Sequence, residues 1–511
     1  MSPNGSRNTV LRLNEITKCF GTLRANDCIS LEVQRGEVLA LLGENGAGKT
    51  TLMNILFGHY VADSGSAEVF GKILPPGSPR SALASAIGMV HQHFNLADNL
   101  SVIENVMIGT EPLLAVRTKH AEARRRLAEL TERFGLLLNP DAIVGTLSVG
   151  ERQRVEILKT LYRKAQILIL DEPTAVLTPQ ETESLFSTLG RLNQEGLSIV
   201  FISHKLDEVM RVSDRVVVLR AGRVVAERET GSTTRNELAE LMVGREVPQP
   251  LRKPQKAGDS VFELREVSVR EGSKPLLDGI NLIVRESEII GIAGVSGNGQ
   301  KVLADLGSGL LCPNDGQLRL FGADVTTPRP RNFVRAGVAR IPEDRHASGI
   351  MTDMAIWENM ISERYRDEFS TWGLIRRGKA INETKKIIHD FDIHCEGPMA
   401  LIGQLSGGNI QKLILGRALA LQPKLIVAIQ PTRGLDVGAV AYVHNQLLEA
   451  RRQGVGVLLI SEDLDELLAL CDRIGVMYQG KLTPTKITES LSIQEIGMLM
   501  AGQWQEKGYA V

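Results

Sequence analysis

No run of about 18 consecutive apolar residues occurs in this chain, so the sequence predicts no membrane-spanning helix, and residues 1–18 contain no apolar segment of signal-peptide type. Any role at a membrane is therefore expected to run through a partner. Charge of one sign is also lacking: Lys plus Arg number 59 against 60 for Asp plus Glu, a formal net charge of −1. That balance leaves no bulk positive field of the kind that draws a protein onto nucleic acid. Cysteine is sparse, and Cys19, Cys28, Cys312, Cys395 and Cys471 form no C-x-x-C pair. No disulfide framework or zinc module is expected, and a reducing, cytosolic setting follows. What the chain does have is length: 511 residues accommodate two or more domains, each with its own core.

The chemistry begins at residues 43–50, Gly-Glu-Asn-Gly-Ala-Gly-Lys-Thr, the G-x-x-x-x-G-K-T pattern of a phosphate-binding loop. An apolar run at 38–42 suits a buried strand before it, and 51–56 suits a helix after it, which is the context the pattern requires. The glycines, Gly43, Gly46 and Gly48, let backbone N–H groups approach phosphate oxygens, and the helix N-terminus adds positive potential at the same place. Lys49 supplies a point charge for the β and γ phosphates, and Thr50 offers a hydroxyl to Mg²⁺. A glycine-rich turn beside a solvated lysine would leave this coincidence of residues unexplained.

Along the first half, strand-like runs at 29–33, 37–42, 167–170, 198–202 and 215–219 alternate with helical stretches, which predicts an α/β core of parallel strands. Residues 94–147 turn mostly helical and charged and read as a separate helical subdomain, its charge run a solvated face. Proline and lysine crowd into 248–256, as in an exposed linker, and then the chain starts again. Gly43 and Gly46 recur 251 residues on as Gly294 and Gly297. Glu104-Asn105 recurs at 254 as Glu358-Asn359, and Leu147-Ser148 at 258 as Leu405-Ser406. The halves are duplicates, and the period is far too long for a solenoid. The expected domains are 1–247 and 260–511, joined by a linker at 248–259.

Four further elements stand in the first half. An apolar strand at 167–170 ends in Asp171-Glu172, of which the first carboxylate can hold Mg²⁺ and the second can orient and deprotonate water. His204 follows another buried strand, Gln92 lies between the phosphate loop and the helical region, and Ser148 opens a helix able to present donors to an anion. Singly, each has a bland reading: an exposed strand end, a structural histidine, a surface glutamine, a capped helix.

Together with the phosphate loop, in this order, they resemble the nucleotide-binding domains of ABC ATPases, and the resemblance covers nearly the whole chain twice. It implies two tandem P-loop domains, each a RecA-like core with an antiparallel β region and a helical subdomain. It implies that ATP and Mg²⁺ bind at Walker A, where Gly43, Asn45, Gly46, Gly48, Lys49, Thr50 and Thr51 stand. Gln92 falls on the Q-loop, Asp171 on the end of Walker B, Glu172 on the catalytic glutamate and His204 on the H-loop. Phe20 falls on the aromatic that stacks on adenine. Thr50, Gln92 and Asp171 are thereby the expected metal-side residues. In this family each ATP is shared between one domain's P-loop and the other domain's signature motif.

The second half departs from that pattern. Gln300 stands in place of the lysine and Lys301 in place of the Mg²⁺-binding hydroxyl; Ile429, Gln430, Glu343, Glu462 and Glu271 fall on Asp171, Glu172, Gln92, His204 and Phe20. Yet its signature, Ser406-Gly407-Gly408, is intact, whereas Val149 replaces a signature glycine in the first half and Thr178 the D-loop aspartate. One shared site therefore collects every competent part, with Ser406, Gly407 and Gly408 serving the ATP held by Lys49, and the other collects the defects. The motifs at 89–94, 294–300 and 341–346 resemble those of the energising subunit of importers for simple sugars and nucleosides, the nucleoside branch above all. That resemblance implies two integral-membrane permease subunits and, through them, an external solute-binding protein as partners. It places the chain at the cytoplasmic face of the membrane, with no nucleic acid bound. The alternative is an ABC-type translation factor acting on ribosomes; the short linker, the near-zero charge and the dismantled second site argue against it.

Overall fold

Val38–Leu42, Ile167–Asp171 and Ser198–Ile202 are buried at every position. Strands covered on both faces read as continuous apolar runs because neither side meets water. The structure, a computed structural model, describes residues 9–91, 94–110, 120–174, 177, 179–244, 251–272 and 274–503. The chain divides into two units, Met1–Val247 and Pro248–Val511.

In the first unit the strands are β1 (Thr9–Phe20), β2 (Leu23–Gln34), β3 (Val38–Leu42), β4 (Ser64–Val69), β5 (Lys72–Ile73), β6 (Ile87–Val90), β7 (Ile167–Asp171), β8 (Ser198–Ile202), β9 (Arg215–Arg220) and β10 (Arg223–Glu229). The helices are α1 (Lys49–Phe57), α2 (Pro79–Ala84), α3 (Val102–Met107), α4 (His120–Phe134), α5 (Val149–Tyr162), α6 (Pro179–Gln194), α7 (Leu206–Val212) and α8 (Arg235–Val243). One sheet runs β10-β9-β3-β8-β7-β6, with β3, β6, β7, β8 and β9 mutually parallel and β10 antiparallel at the edge. The other, β2-β1-β4-β5, is antiparallel. The run at 29–33 belongs to β2 in that second sheet, not to the parallel core its apolar content predicts. Its residues alternate between buried and less buried, the mark of a sheet with one wet face.

The second unit repeats the plan. Its main sheet runs Val338–Ile341, Leu425–Ile429, Gly456–Ser461, Ile289–Ala293, Arg473–Tyr478 and Lys481–Leu482, the same order position for position, beside an antiparallel sheet led by Ser260–Glu271 and Lys274–Arg285.

The recurring Glu-Asn pair is explained by capping. Ser101 and Glu104 form a reciprocal capping box at the start of α3, and the fully buried Asn105 side chain bonds Ala97 and Ser101 of the preceding loop. Asn359 ties Met351 and Ala355 in the same way. These residues hold the helical subdomain's first loop.

Candidate active site

The central strand β3 delivers the phosphate loop, and α1 begins at its end. Gly46 and Gly48 both have left-handed backbone, φ 84° and 99°, which a side chain would strain. At Gly48 space is also closed: a Cβ would lie 2.2 Å from the Ala25 carbonyl oxygen. A Cβ on Gly46 would meet nothing within 4 Å, so that side of the loop is open. Lys49 is only 6% exposed, and its ammonium donates to the carbonyls of Gly43 (2.6 Å) and Glu44 (3.0 Å), which holds the charge over the loop. Asn45 and Thr50 are exposed on the loop's open side, and Thr51 is half-buried.

The loop is braced by a residue that sequence reasoning missed. Asn26, fully buried in β2, donates from Nδ2 to the Gly48 carbonyl at 3.0 Å. Nothing local to residues 23–34 signals this partnership; the one hint is a polar residue in an otherwise buried register. Phe20, at the end of β1, is 44% exposed and packs edge-on against Tyr60 with ring centroids 5.5 Å apart. Lys18 lies 5.6 Å from the same ring, so one aromatic face stands at the surface beside a cation.

Strand β7 carries Asp171 at its buried end. Burial, followed by the neighbouring Glu172 charge, pushes the Asp171 carboxyl up to about 6, against a smaller opposing pull from Lys49. Glu172 behaves oppositely. His204, just past β8, donates from Nδ1–H to Glu172 Oε1 at 3.0 Å, and that bond holds the Glu172 carboxyl below the usual range despite its burial. Adjacent carboxylates are thus pushed apart, one towards the neutral acid and one held ionised. Glu172 itself sits at φ 47°, its N–H donating to the Ile202 carbonyl on the neighbouring strand at 2.9 Å. The predicted set of Lys49, Asp171, Glu172 and His204 therefore converges at the ends of β3, β7 and β8, the C-terminal edge where open α/β sheets bind ligands. Gln92 and Thr178 lie outside the described residues.

Ser148 caps α5, with Glu151 completing the capping box. Gln153 reaches from the same helix to the Pro173 carbonyl at 2.7 Å, tying the signature helix to the segment after β7. Ser406 caps the equivalent helix, Gly407–Ala420, and its hydroxyl accepts from Asn409. Gly407 and Gly408 form that helix's first turn, where α5 has Val149, an exposed side chain.

In the second unit Gln300 folds over its loop much as Lys49 does, donating to the Val295 carbonyl at 2.7 Å while accepting from the Asn298 N–H at 3.1 Å. Gln430 keeps the left-handed backbone of Glu172, φ 46°, with its N–H on the Ile460 carbonyl at 2.7 Å. Glu343 is paired with Arg433 at 2.6 Å. Glu462 accepts from the Ser296 N–H at 2.6 Å. Ile429 ends its strand with no side-chain oxygen to offer a metal.

The family model for the ABC transporter matches residues 27–175 and again 277–433. The nucleoside import ATP-binding protein NupA of Lactococcus lactis is 43% identical over 97% of this chain and 98% of its own length. The glucose import ATP-binding protein TsgD13 of Haloferax volcanii is also 43% identical, over 97% of this chain and 96% of its own. Among solved structures, the archaeal ribosome recycling factor aABCE1, in complex with the ribosomal stalk protein aP1, superposes with a TM-score of 0.64 over 96% of this chain and 92% of that one. At 18% identity that likeness extends to the fold alone. Duplicated sheets, a P-loop at the head of each, and a carboxylate–histidine pair on the edge of the first lead to one family: the chain belongs to the ABC transporter family, with two of that family's ATPase domains in tandem.

Proposed function

We propose that this chain is the ATP-hydrolysing subunit that energises import of a nucleoside or a simple sugar, with one competent ATP site and one degenerate one. The observation that carries the reading is the segregation of chemistry: Lys49, Asp171, Glu172 and His204 stand together in the first unit, and Gln300, Ile429, Gln430 and Glu462 replace them in the second. Relatives named for nucleoside and glucose import at equal identity support the importer class and leave both solute types in play.

In hydrolysis a water oxygen attacks the γ-phosphorus, the bond to ADP breaks, and Glu172 takes the water's proton; a carboxylate held ionised by His204 is fit for that task. Lys49 stabilises charge on the phosphate oxygens. Among the described residues no group of three or more His, Cys, Asp or Glu forms a metal cage. The donor set suits Mg²⁺ instead, which binds through one or two protein oxygens plus substrate phosphates. Thr50 and Asp171, with Gln92, would hold it, and it would neutralise charge developing on the phosphates. Phe20 would stack on adenine. Ser406, Gly407 and Gly408, at the N-terminus of their helix, would contact ATP through backbone donors. The partners are two permease subunits and, through them, an external solute-binding protein, at the cytoplasmic face of the membrane; among the described residues no helix is long and apolar enough to cross it.

The test is uptake of labelled nucleosides and sugars by cells carrying wild type, Lys49→Ala or Ser406→Arg. Both variants should abolish uptake of one solute class; normal uptake of every solute with Lys49→Ala would refute the reading. Co-purification with ribosomes instead of permease subunits would favour a translation factor.

A further inference from the structure

A phosphate loop binds anions because its backbone N–H groups converge on one point at a helix N-terminus. In the second unit one of those donors, the Ser296 N–H, already has an anion. Glu462 Oε1 accepts from the Ser296 N–H at 2.6 Å, the short distance of a charge-assisted bond. A second loop N–H is engaged as well: Asn298 N–H donates to Gln300 Oε1 at 3.1 Å. Asn298 closes the loop from outside, its Nδ2 donating to the Val295 carbonyl at 2.9 Å and its Oδ1 accepting from the Gln479 N–H at 2.9 Å. Glu462 is positioned in turn by Gln430, whose Oε1 accepts from the Glu462 N–H at 3.2 Å. The two residues standing where a general base and its histidine partner would be are thus joined to each other and to the loop.

We infer that the second phosphate loop is filled by the chain's own Glu462 carboxylate, and that Glu462 is the residue that keeps nucleotide out of it. The inference rests on the proposed reading of the first loop as the competent one. Loss of the lysine weakens phosphate binding but leaves the backbone donors in place. A carboxylate on the Ser296 N–H competes for that bond and repels a polyphosphate besides. Only the first unit's histidine permits entry: His204 turns to Glu172 and carries no fixed negative charge.

The experiment is equilibrium dialysis of the full-length chain with radiolabelled ATP and Mg²⁺ at neutral pH, up to about 1 mM nucleotide, which detects sites of millimolar affinity or better. Wild type should bind one equivalent and Glu462→Ala two. Two equivalents in wild type would overturn the inference, as would no gain in Glu462→Ala. No binding by wild type would instead overturn the reading of the first site. Hydrogen exchange gives a second measurement independent of nucleotide: the amide of Ser296 should exchange at least about tenfold faster in Glu462→Ala, because its acceptor is gone. An unchanged rate would show that the carboxylate does not occupy the loop.

Discussion

Replacing His204 by alanine tests the claim that this residue acts by keeping Glu172 ionised. Two influences oppose each other at the Glu172 carboxyl: the His204 hydrogen bond is the larger and lowers its pKa, and burial raises it. Deleting the imidazole leaves burial unopposed by its main counterweight, so the pKa must rise. A hydrogen bond to a charged group contributes about 1.5–3 kcal/mol. In steady-state phosphate release at saturating ATP, the acid limb of the pH–kcat profile should move to higher pH, while the plateau at alkaline pH falls much less. The sign carries over to stability. A carboxylate with a depressed folded pKa stabilises the protein above its unfolded pKa and loses that contribution as pH falls. The melting-temperature deficit of His204→Ala should therefore be largest near neutrality and vanish in acid. An acid limb at the same pH in wild type and variant, with a uniform drop in rate, would refute the reasoning and leave His204 a different role.

Asp171 predicts the opposite signature. Its carboxyl is pushed from 3.8 to about 6, so in nucleotide-free protein its ionisation opposes folding as pH rises through that window, by at most about 3 kcal/mol. Asp171→Asn should raise the melting temperature at neutral pH, leave it unchanged near pH 4, and abolish hydrolysis; equal effects at both pH values would contradict this. The two loop glycines should separate in thermal unfolding. Gly48→Ala drives a Cβ to 2.2 Å from the Ala25 carbonyl and 2.6 Å from Asn26, so it should destabilise by about 2–4 kcal/mol. Gly46→Ala meets no atom and should cost about 1 kcal/mol of backbone strain. A larger loss at Gly46 would show that the loop is packed differently.

Much of this was readable from residue order because the motifs are local. A phosphate loop needs its glycines, lysine and threonine within eight positions, and a buried parallel strand declares itself by an unbroken apolar run, as β3, β7 and β8 do. The duplication and its defects were equally plain from offsets. What escaped notice depends on contacts made across the fold. Asn26 meets Gly48 because β2 passes beneath the loop, and Glu462 reaches Ser296 because two strands far apart in sequence are neighbours in the sheet. The misplacement of 29–33 has a related cause: a short apolar run does not say which of two sheets will take it, and only its alternation of burial, visible once folded, tells them apart.

The bend at Glu172 has one more consequence. A side-chain-bearing residue held near φ +47° is strained by about 1 kcal/mol or more. Gln430, an amide and not a carboxylate, keeps the same bend, at +46°. The bend is therefore not tied to a carboxylate side chain. In both domains the bend lands the amide on the carbonyl of the adjoining strand, Ile202 or Ile460, and so finishes the edge of the sheet. The bend therefore belongs to the sheet: it completes the strand end whether the side chain there is a carboxylate or an amide.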